Sequence, residues 1–545
     1  MTSSFKIRLT IIFFIFILAY CALGINIYII QIKNHAFYTH LAEQQYHVTV
    51  TQHPPRGPIL DRTGKNYLAI NRDYLSAFIL PKQLNDPEAT KTFLLNHFPD
   101  AYKRFSSNKT KNFMFIKRRL SKLEQELIKT SAMPDIFLLS EPGRYYPLSS
   151  AGIITGLTSI DNKGLFGLEL LYESILAGKP TTYHLEKDAR SGHYYFKKET
   201  TIQGDTGHPL TLTIDADLQF LTQEAVAATV KKFNAQQGAA LVMNPQTGEI
   251  ISLVSYPHFD PNNPKTASIN VCKNIVISDA YELGSVIKIF AALAALEENV
   301  VTPDELIDCK NTLTTVIDGR TINTVKPHGI IPFTDVIAFS NNIGIATVAK
   351  RLDTKLYDYY KKWGFGTKTG IAFPGENPGF INPPEKWSKQ SIISLSYGYE
   401  ISATLLQLAR AFSIIATGYA VTPHLVRTTF THTNQQPLLA SNTNLSIIKD
   451  ILERTTRYGT AKRAAINGYR IMTKTGTANL LVDGIYKHDK NIYTSAGIVE
   501  KDGYQRVIVT FIKEAQHKNL YAATVAVPLF ELITEHMLIH DKIIS

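Results

Sequence analysis

Tyr281 to Phe290 read YELGSVIKIF, and the fold turns on how this stretch is understood. After Gly284 come Val286, Ile287, Ile289 and Phe290, then AALAALEE, with no Gly or Pro through Asn299. This is an Ala-rich helix of roughly four turns, hydrophobic nearly all round and therefore expected inside a core. Ser285 and Lys288 stand three residues apart on it, hence on one face. A serine hydroxyl becomes a nucleophile when a neighbouring base takes its proton. A lysine can be that base only where burial or nearby positive charge lowers its pKa. Ser285 would also sit at the helix N-terminus, where free N–H groups favour developing negative charge. By itself S-x-x-K is short, and a capping serine with a snorkelling lysine explains most instances. Ser106…Lys109 and Ser446…Lys449 match it in polar surroundings. The rest of the chain has to decide.

Upstream, Gly238 to Asn244 reads as a strand, Pro245 to Glu249 as a tight turn and Ile250 to Ser255 as the returning strand, a hairpin. Downstream, PFTDVIAFSNNIGIATVAKRL places Ser340-Asn341-Asn342 between two helical stretches, whereas Ser268-Ile269-Asn270 repeats the S-x-N pattern without such company. Two K-T-G sequences compete. Lys368-Thr369-Gly370 is crowded by Gly364, Gly366, Pro374 and Gly375 and reads as surface loop. Lys474-Thr475-Gly476-Thr477 follows the strand pattern YRIMT and precedes two more, YTSAGIVE and QRVIVTFIKE. A closing helix is predicted over Val527 to Ile539, with Pro528 in its first turn. The second K-T-G therefore belongs on the edge of an antiparallel sheet covered by helices, where a strand can lie beside a peptide and offer backbone hydrogen bonds.

At 545 residues, two or three domains are expected. With 44% hydrophobic and 19% charged residues the chain can bury globular cores. The net charge of +11 and a pI near 9.2 fit attraction to anionic membrane or cell-wall material. Lys and Arg are dispersed and no nucleic-acid module is present, so no nucleic-acid partner is expected. Cys21, Cys272 and Cys309 show neither metal spacing nor a disulfide framework, leaving one pairing of Cys272 with Cys309 open.

Leu9 to Ile32 carries no charge and can cross a bilayer. Lys6 and Arg8 precede it, so the predicted topology is a cytoplasmic stub over 1–8, a span over 9–32 and everything from Lys33 onward outside. The run is too long for a cleaved signal peptide, and Tyr20 is too large to precede a lipoprotein cysteine.

Beyond it, Glu43 to Gly57 reads as polar and extended. RGPILDRTGKNYLAI, from Arg56, gives a turn, a short strand and a second turn in which Asp61 could pair with either arginine. Residues 85 to 140 read as a helical insertion with KRRLSKLEQELIK as its amphipathic piece. GLFGLELLYESILAGKP gives turns at Gly164 and Gly167, a short helix from Leu168 and a stop at Gly178. No nucleophile, base and orienter come together here, so 45–205 is read as a non-catalytic pedestal and 206–541 as the catalytic domain. The boundary falls near Gly204 to Gly207, before a strand and a long helix capped by Asp215 or Asp217.

Hairpin, S-x-x-K on a buried helix, S-x-N between helices, K-T-G-T on a late strand and a C-terminal helix form a far more specific order than any one piece. From about residue 55 to 540 the chain resembles the class B penicillin-binding proteins. GYRIMTKTGTA and YGYEISATLLQLARAF are most similar to the division-specific, septal D,D-transpeptidase. The resemblance implies an α+β, αβα-sandwich transpeptidase domain of the penicillin-binding and serine β-lactamase type on a pedestal, anchored in the bacterial inner membrane with the catalytic domain in the periplasm. It implies Ser285 as nucleophile, Lys288 as general base, and Ser340 and Asn342 as proton relay and orienters. Lys474 would keep Lys288 neutral and, with Thr475, Gly476 and Thr477, hold the substrate's terminal carboxylate. The N–H groups of Ser285 and Thr477 would form the oxyanion hole. Stem peptides of peptidoglycan and β-lactams are the implied ligands, and a septal glycosyltransferase with other division proteins the implied partners. No metal or organic cofactor is called for. Leu283 stands where the family usually has Pro, and Asn341 occupies a variable position.

Four other readings remain. An elongation-specific transpeptidase of the same class would have a larger head within 65–205. A membrane β-lactam sensor needs a cytoplasm-directed signalling region. A silent division scaffold would not fill every chemical position. A soluble β-lactamase would carry neither anchor nor pedestal, and would need an added deacylating base. With Lys474 as a fixed charge, acylation is expected to rise with pH through the lowered Lys288 pKa and then level off.

Overall fold

The computed structural model describes residues 3–107, 113–187, 194–427, 438–517 and 519–542. Met1 and Thr2 of the expected stub, and Lys109 of the stray Ser106…Lys109 match, lie outside them. The chain divides into two compact units, 1–56 with 177–208 and 57–176 with 209–545.

The first unit opens with helix α1 (Ser3–Tyr28), continued by a π-helical turn, Ile29–Lys33. Ser4–Lys33 is a 30-residue run of mean hydropathy 2.4 with none of its apolar window packed in protein. Its exposed Ile, Phe and Leu side chains suit a lipid surroundings, and its length suffices for a span. The chain then continues as helix α2 (His35–Tyr46), so the expected extended exit from Glu43 begins only after Tyr46. A strand over His47–Gln52 pairs with Thr181–Lys187, which pairs in turn with Tyr194–Ile202.

In the second unit, β1 (Tyr67–Ile79) pairs with β2 (Met114–Lys117) and β3 (Phe137–Tyr145). The expected helical insertion over 85–140 is mixed: helices form over Pro87–His97, Pro99–Ser107 and Lys122–Ser131, the last capped by a Ser121–Glu124 box, but β2 and the start of β3 lie between and after them, paired to β1. Asp61 departs from expectation. Its Oδ1 accepts from Thr63 N at 3.1 Å and Thr63 Oγ1 at 2.7 Å, and its Oδ2 from Asn66 Nδ2 at 2.9 Å. Local turn donors two to five residues away lie closer than either arginine head, and they lower its pKa against the opposing effect of burial. Arg62 instead meets Glu249 at 3.7 Å.

Arg144 and Glu169 form a fully buried ion pair, Nε to Oε1 at 2.6 Å, and Arg144 also donates to the Gly57 carbonyl at 2.8 Å. Charges removed from water persist only where paired and hydrogen-bonded, so this pair fixes the entry at Gly57 to the short helix Gly167–Leu171. Reciprocal bonds join this region to the rest of the unit. Tyr146 N donates to Asn262 Oδ1 and Asn262 Nδ2 to Tyr146 O, while Gln219 Nε2 donates to Ser150 O.

Asp215 is the residue that caps α3 (Ala216–Lys232), accepting from Leu218 N. β4 (Gln237–Met243) and β5 (Ile250–Tyr256) form the expected hairpin. The nucleophile stretch becomes a 3-10 turn, Gly284–Val286, leading into α4 (Lys288–Glu297). Then come α5 (Phe333–Ala338), α6 (Asn342–Ala349), α7 (Leu405–Thr417) and α8 (Asn442–Arg457). β6 (Arg470–Val482), β7 (Ile485–Lys501), β8 (Tyr504–Lys513) and α9 (Ala522–His540) close the chain.

The central sheet is antiparallel, in the order β5-β4-β8-β7-β6, with β6 on its edge. Ile471, Ile508 and Ile512 face α3 and α9 on one side; Met472, Ala496 and Val509 face the α4 and α7 side on the other. That is the αβα sandwich. Helix α4 lies deep in it, every residue from Lys288 to Leu296 buried, with Phe290 edge-on to Phe365 and Phe412. α9 starts at Ala522, five residues before the expected start, so Pro528 lies inside the helix instead of in its first turn. One backbone hydrogen bond is lost there, and the buried Val525, Ala526, Leu529, Phe530 and Ile533 hold the helix in place. That packing also marks α9, apolar and long enough for a span, as a core helix. Cys272 and Cys309 are free thiols.

Candidate active site

Gly284 (φ +59) turns the chain sharply into the 3-10 turn that carries Ser285, a left-handed conformation that glycine adopts without strain. The turn lies hard against β6. A methyl group on Gly476 would fall 2.3 Å from the Leu283 carbonyl oxygen, and one on Gly284 2.9 Å from the Thr477 oxygen. Both positions need glycine for this close approach, which packs the Leu283–Gly284 turn directly on the Gly476–Thr477 stretch of β6.

Lys288, one turn on, is fully buried. Its Nζ lies 2.9 Å from Ser285 Oγ, 3.1 Å from Ser340 Oγ and 2.6 Å from the Ser340 carbonyl oxygen. Ser340 meets the lysine through both backbone and side chain because it is left-handed (φ +59), a conformation a non-glycine residue holds only where its surroundings impose it. From the opposite side Lys474, also fully buried, donates to Ser340 Oγ at 2.9 Å and to the Thr475 carbonyl at 3.1 Å. One hydroxyl thus bridges two buried amines. Burial first, and the Lys474 charge second, hold the Lys288 pKa well below the ordinary lysine value. Burial alone brings Lys474 down to about 7. Two causes thus favour the neutral form of Lys288, burial and a neighbouring charge, where Lys474 has burial.

The threonines expected to hold the carboxylate have partners of their own. Thr475 Oγ1 lies 2.7 Å from Thr460 Oγ1, and Thr477 Oγ1 accepts from Ala522 N at 2.9 Å. Asn342 stands apart from the amines: its Nδ2 donates to the Asn323 carbonyl at 2.5 Å and its N–H to Thr324 Oγ1 at 3.4 Å. Asn341 proves to be more than filler. It is fully buried, caps α6 through Oδ1 to Gly344 N and meets His328 Nδ1 through Nδ2. Lys368 is exposed on a loop, where Thr369 bonds Glu376, and takes part in none of these hydrogen bonds.

Sequence reasoning missed the clamp on the turn itself. Glu282 Oε1 accepts from Glu400 N at 2.8 Å and Tyr486 Oη at 3.1 Å, tying the turn that carries Ser285 to the segment before Ile401 and to β7. Arg320 reaches Glu400 at 3.5 Å from the strand Arg320–Asn323. These partners lie 118 and 204 residues from Glu282, so no local pattern could signal them.

A serine hydroxyl against a buried amine of lowered pKa, a hydroxyl shared with a second buried amine, and threonine hydroxyls on an edge strand are the kinds of group that acyl transfer uses. Comparison with known proteins points the same way. Residues 238–535 match the penicillin binding protein transpeptidase domain, and residues 51–212 the penicillin-binding protein dimerisation domain. The chain is 30% identical over 504 residues to the peptidoglycan D,D-transpeptidase FtsI of Buchnera aphidicola, covering 89% of this chain and 86% of that one. It is 27% identical over 490 residues to FtsI of Escherichia coli, covering 88% and 82%. Penicillin binding protein 3 of Mycobacterium tuberculosis, solved with aztreonam, superposes with TM-score 0.69 at 24% identity, over 91% of this chain and 98% of that one, a likeness of fold.

Proposed function

The chain belongs to the class B penicillin-binding proteins, peptidoglycan D,D-transpeptidases, and from that premise we propose that Ser285, Lys288, Ser340 and Lys474 carry the reaction here. The observation that carries the assignment is the 2.9 Å contact of Ser285 Oγ with a fully buried lysine whose proton affinity is depressed.

In this reading the donor stem peptide lies beside β6 with its terminal carboxylate on Thr475 and Thr477 and near Lys474. Lys288 takes the Ser285 proton as Oγ attacks the carbonyl of the penultimate D-alanine. The oxyanion is held by the N–H groups of Ser285 and Thr477, each such donor being worth about 3–4 kcal/mol. The proton returns through Lys288 and Ser340 to the leaving D-alanine amine. An acceptor amine then attacks the ester along the reverse path, forming the cross-link and regenerating Ser285. A β-lactam enters by the first half and stays as the acyl-enzyme. Asn342, on the rim, is assigned to the substrate amide.

We assign 45–205 as pedestal and 206–541 as catalytic domain, a division supported by the dimerisation and transpeptidase matches. The apolar helix anchors the protein in the cytoplasmic membrane; Lys6 and Arg8 favour the cytoplasmic side for its start and the periplasm for the enzyme. The septal role, with a glycosyltransferase and other division proteins as partners, rests on the similarity to FtsI. Depleting the protein in its own cells should stop septum formation while elongation continues, giving filaments by microscopy. Loss of cell width control with septation intact would assign it to elongation.

A further inference from the structure

A carboxylate has lone pairs and no proton, so every hydroxyl that holds one must donate its only proton to it. A hydroxyl is committed to donating outward when another donor fills its oxygen from behind. For Thr477 the donor is visible: Ala522 N–H, at the N-terminus of α9, points into Thr477 Oγ1 at 2.9 Å. For Thr475 the candidate is another hydroxyl, Thr460 Oγ1, at 2.7 Å. By geometry either threonine can be the donor of that bond.

Thr460 is placed to act from a fixed position. It follows α8 on a turn held by Gly459 N and Ala461 N, which donate to the Arg454 and Thr455 carbonyls. Tyr458 on the same turn packs its ring on Phe339, beside Ser340, and donates to Asp335 Oδ1 at 3.0 Å. One turn back along α8, Thr456 Oγ1 meets Thr473 Oγ1 at 2.9 Å, so α8 and β6 are clipped together by two successive threonine pairs. The inner pair is buried; the outer one stands at the carboxylate end.

We infer that Thr460 is a positioning residue for carboxylate recognition: its hydroxyl donates to Thr475 Oγ1 and so commits the Thr475 proton to the substrate's terminal carboxylate. The inference rests on the proposed role of Thr475. When the carboxylate arrives, one O–H···O bond forms from Thr475 and the Thr460 proton settles into the bond behind it, each link polarising the next. Thr460 itself touches no substrate.

Thr460→Val keeps the shape and removes the donor, whereas Thr460→Ser keeps the donor and removes a methyl group. The test measures the second-order acylation constant of the full-length protein with a penicillin bearing its free carboxylate and with the corresponding carboxamide, alongside the melting temperature. Thr460→Val should slow acylation by the free carboxylate about tenfold, the upper end of what one neutral hydrogen bond contributes. Acylation by the carboxamide should stay at its wild-type value, and Thr460→Ser should restore the carboxylate rate. Equal losses with both probes, a loss shared by the serine variant, or no loss at all would overturn the inference. Wild-type protein acylated by neither probe would overturn the site assignment beneath it.

Discussion

Lys288→Arg should abolish acylation of Ser285 as completely as Lys288→Ala. The base must be neutral to accept the hydroxyl proton, and arginine stays charged at any accessible pH. Lys288 meets the requirement because it is fully buried and faces a second amine across Ser340. The general-base contribution lost should be about 10²–10⁴-fold in rate, read as acyl-enzyme formation with time. Circular dichroism and membrane fractionation check that both variants remain folded and anchored. The pH profile of the wild type adds a second reading. The acylation constant should rise with pH as Lys288 loses its proton, and then fall as Lys474 loses its own at about 7. The falling limb is what the structure adds, because the sequence offers no sign that Lys474 is itself buried and easily deprotonated. An arginine variant acylating at the wild-type rate would transfer the role of base to Ser340 or a water.

Lys474→Ala and Lys368→Ala should differ sharply although both sit in K-T-G. Lys474 donates to Ser340 Oγ and lies next to the carboxylate threonines, so its loss should cost about 10²–10³-fold in acylation, as removal of a preorganised electrostatic group does. Lys368 is exposed on its loop, and its loss should leave acylation at the wild-type rate with little change in melting temperature. Comparable losses from both would mean that the wrong strand has been taken as the sheet edge.

The parts of the site legible in the sequence are those set by short-range periodicity. Ser285 and Lys288 share a face as their three-residue spacing suggested, although through a 3-10 turn of three residues per turn that runs into α4, and Lys474 falls on an edge strand because three strand patterns and a helix end the chain. Gly476 was legible as part of a motif, but its reason is packing against Leu283 across the fold. What could not be read turned on which of several nearby donors prevailed, or on partners distant in sequence. Asp61 took donors from its own turn instead of an arginine, Glu282 bonded Glu400 and Tyr486, and Asn341 became a helix cap because α6 begins at Asn342. Pro528 misled for a related reason: tertiary packing outweighs one missing backbone bond, and α9 runs through it.

The central claim is that Ser285 is acylated through its own hydroxyl. Intact mass spectrometry of the full-length protein after incubation with a β-lactam tests this most directly. The wild type should gain the mass of one β-lactam, and Ser285→Ala should gain none while keeping its melting temperature. A single adduct that persists on the Ser285→Ala protein would contradict the account.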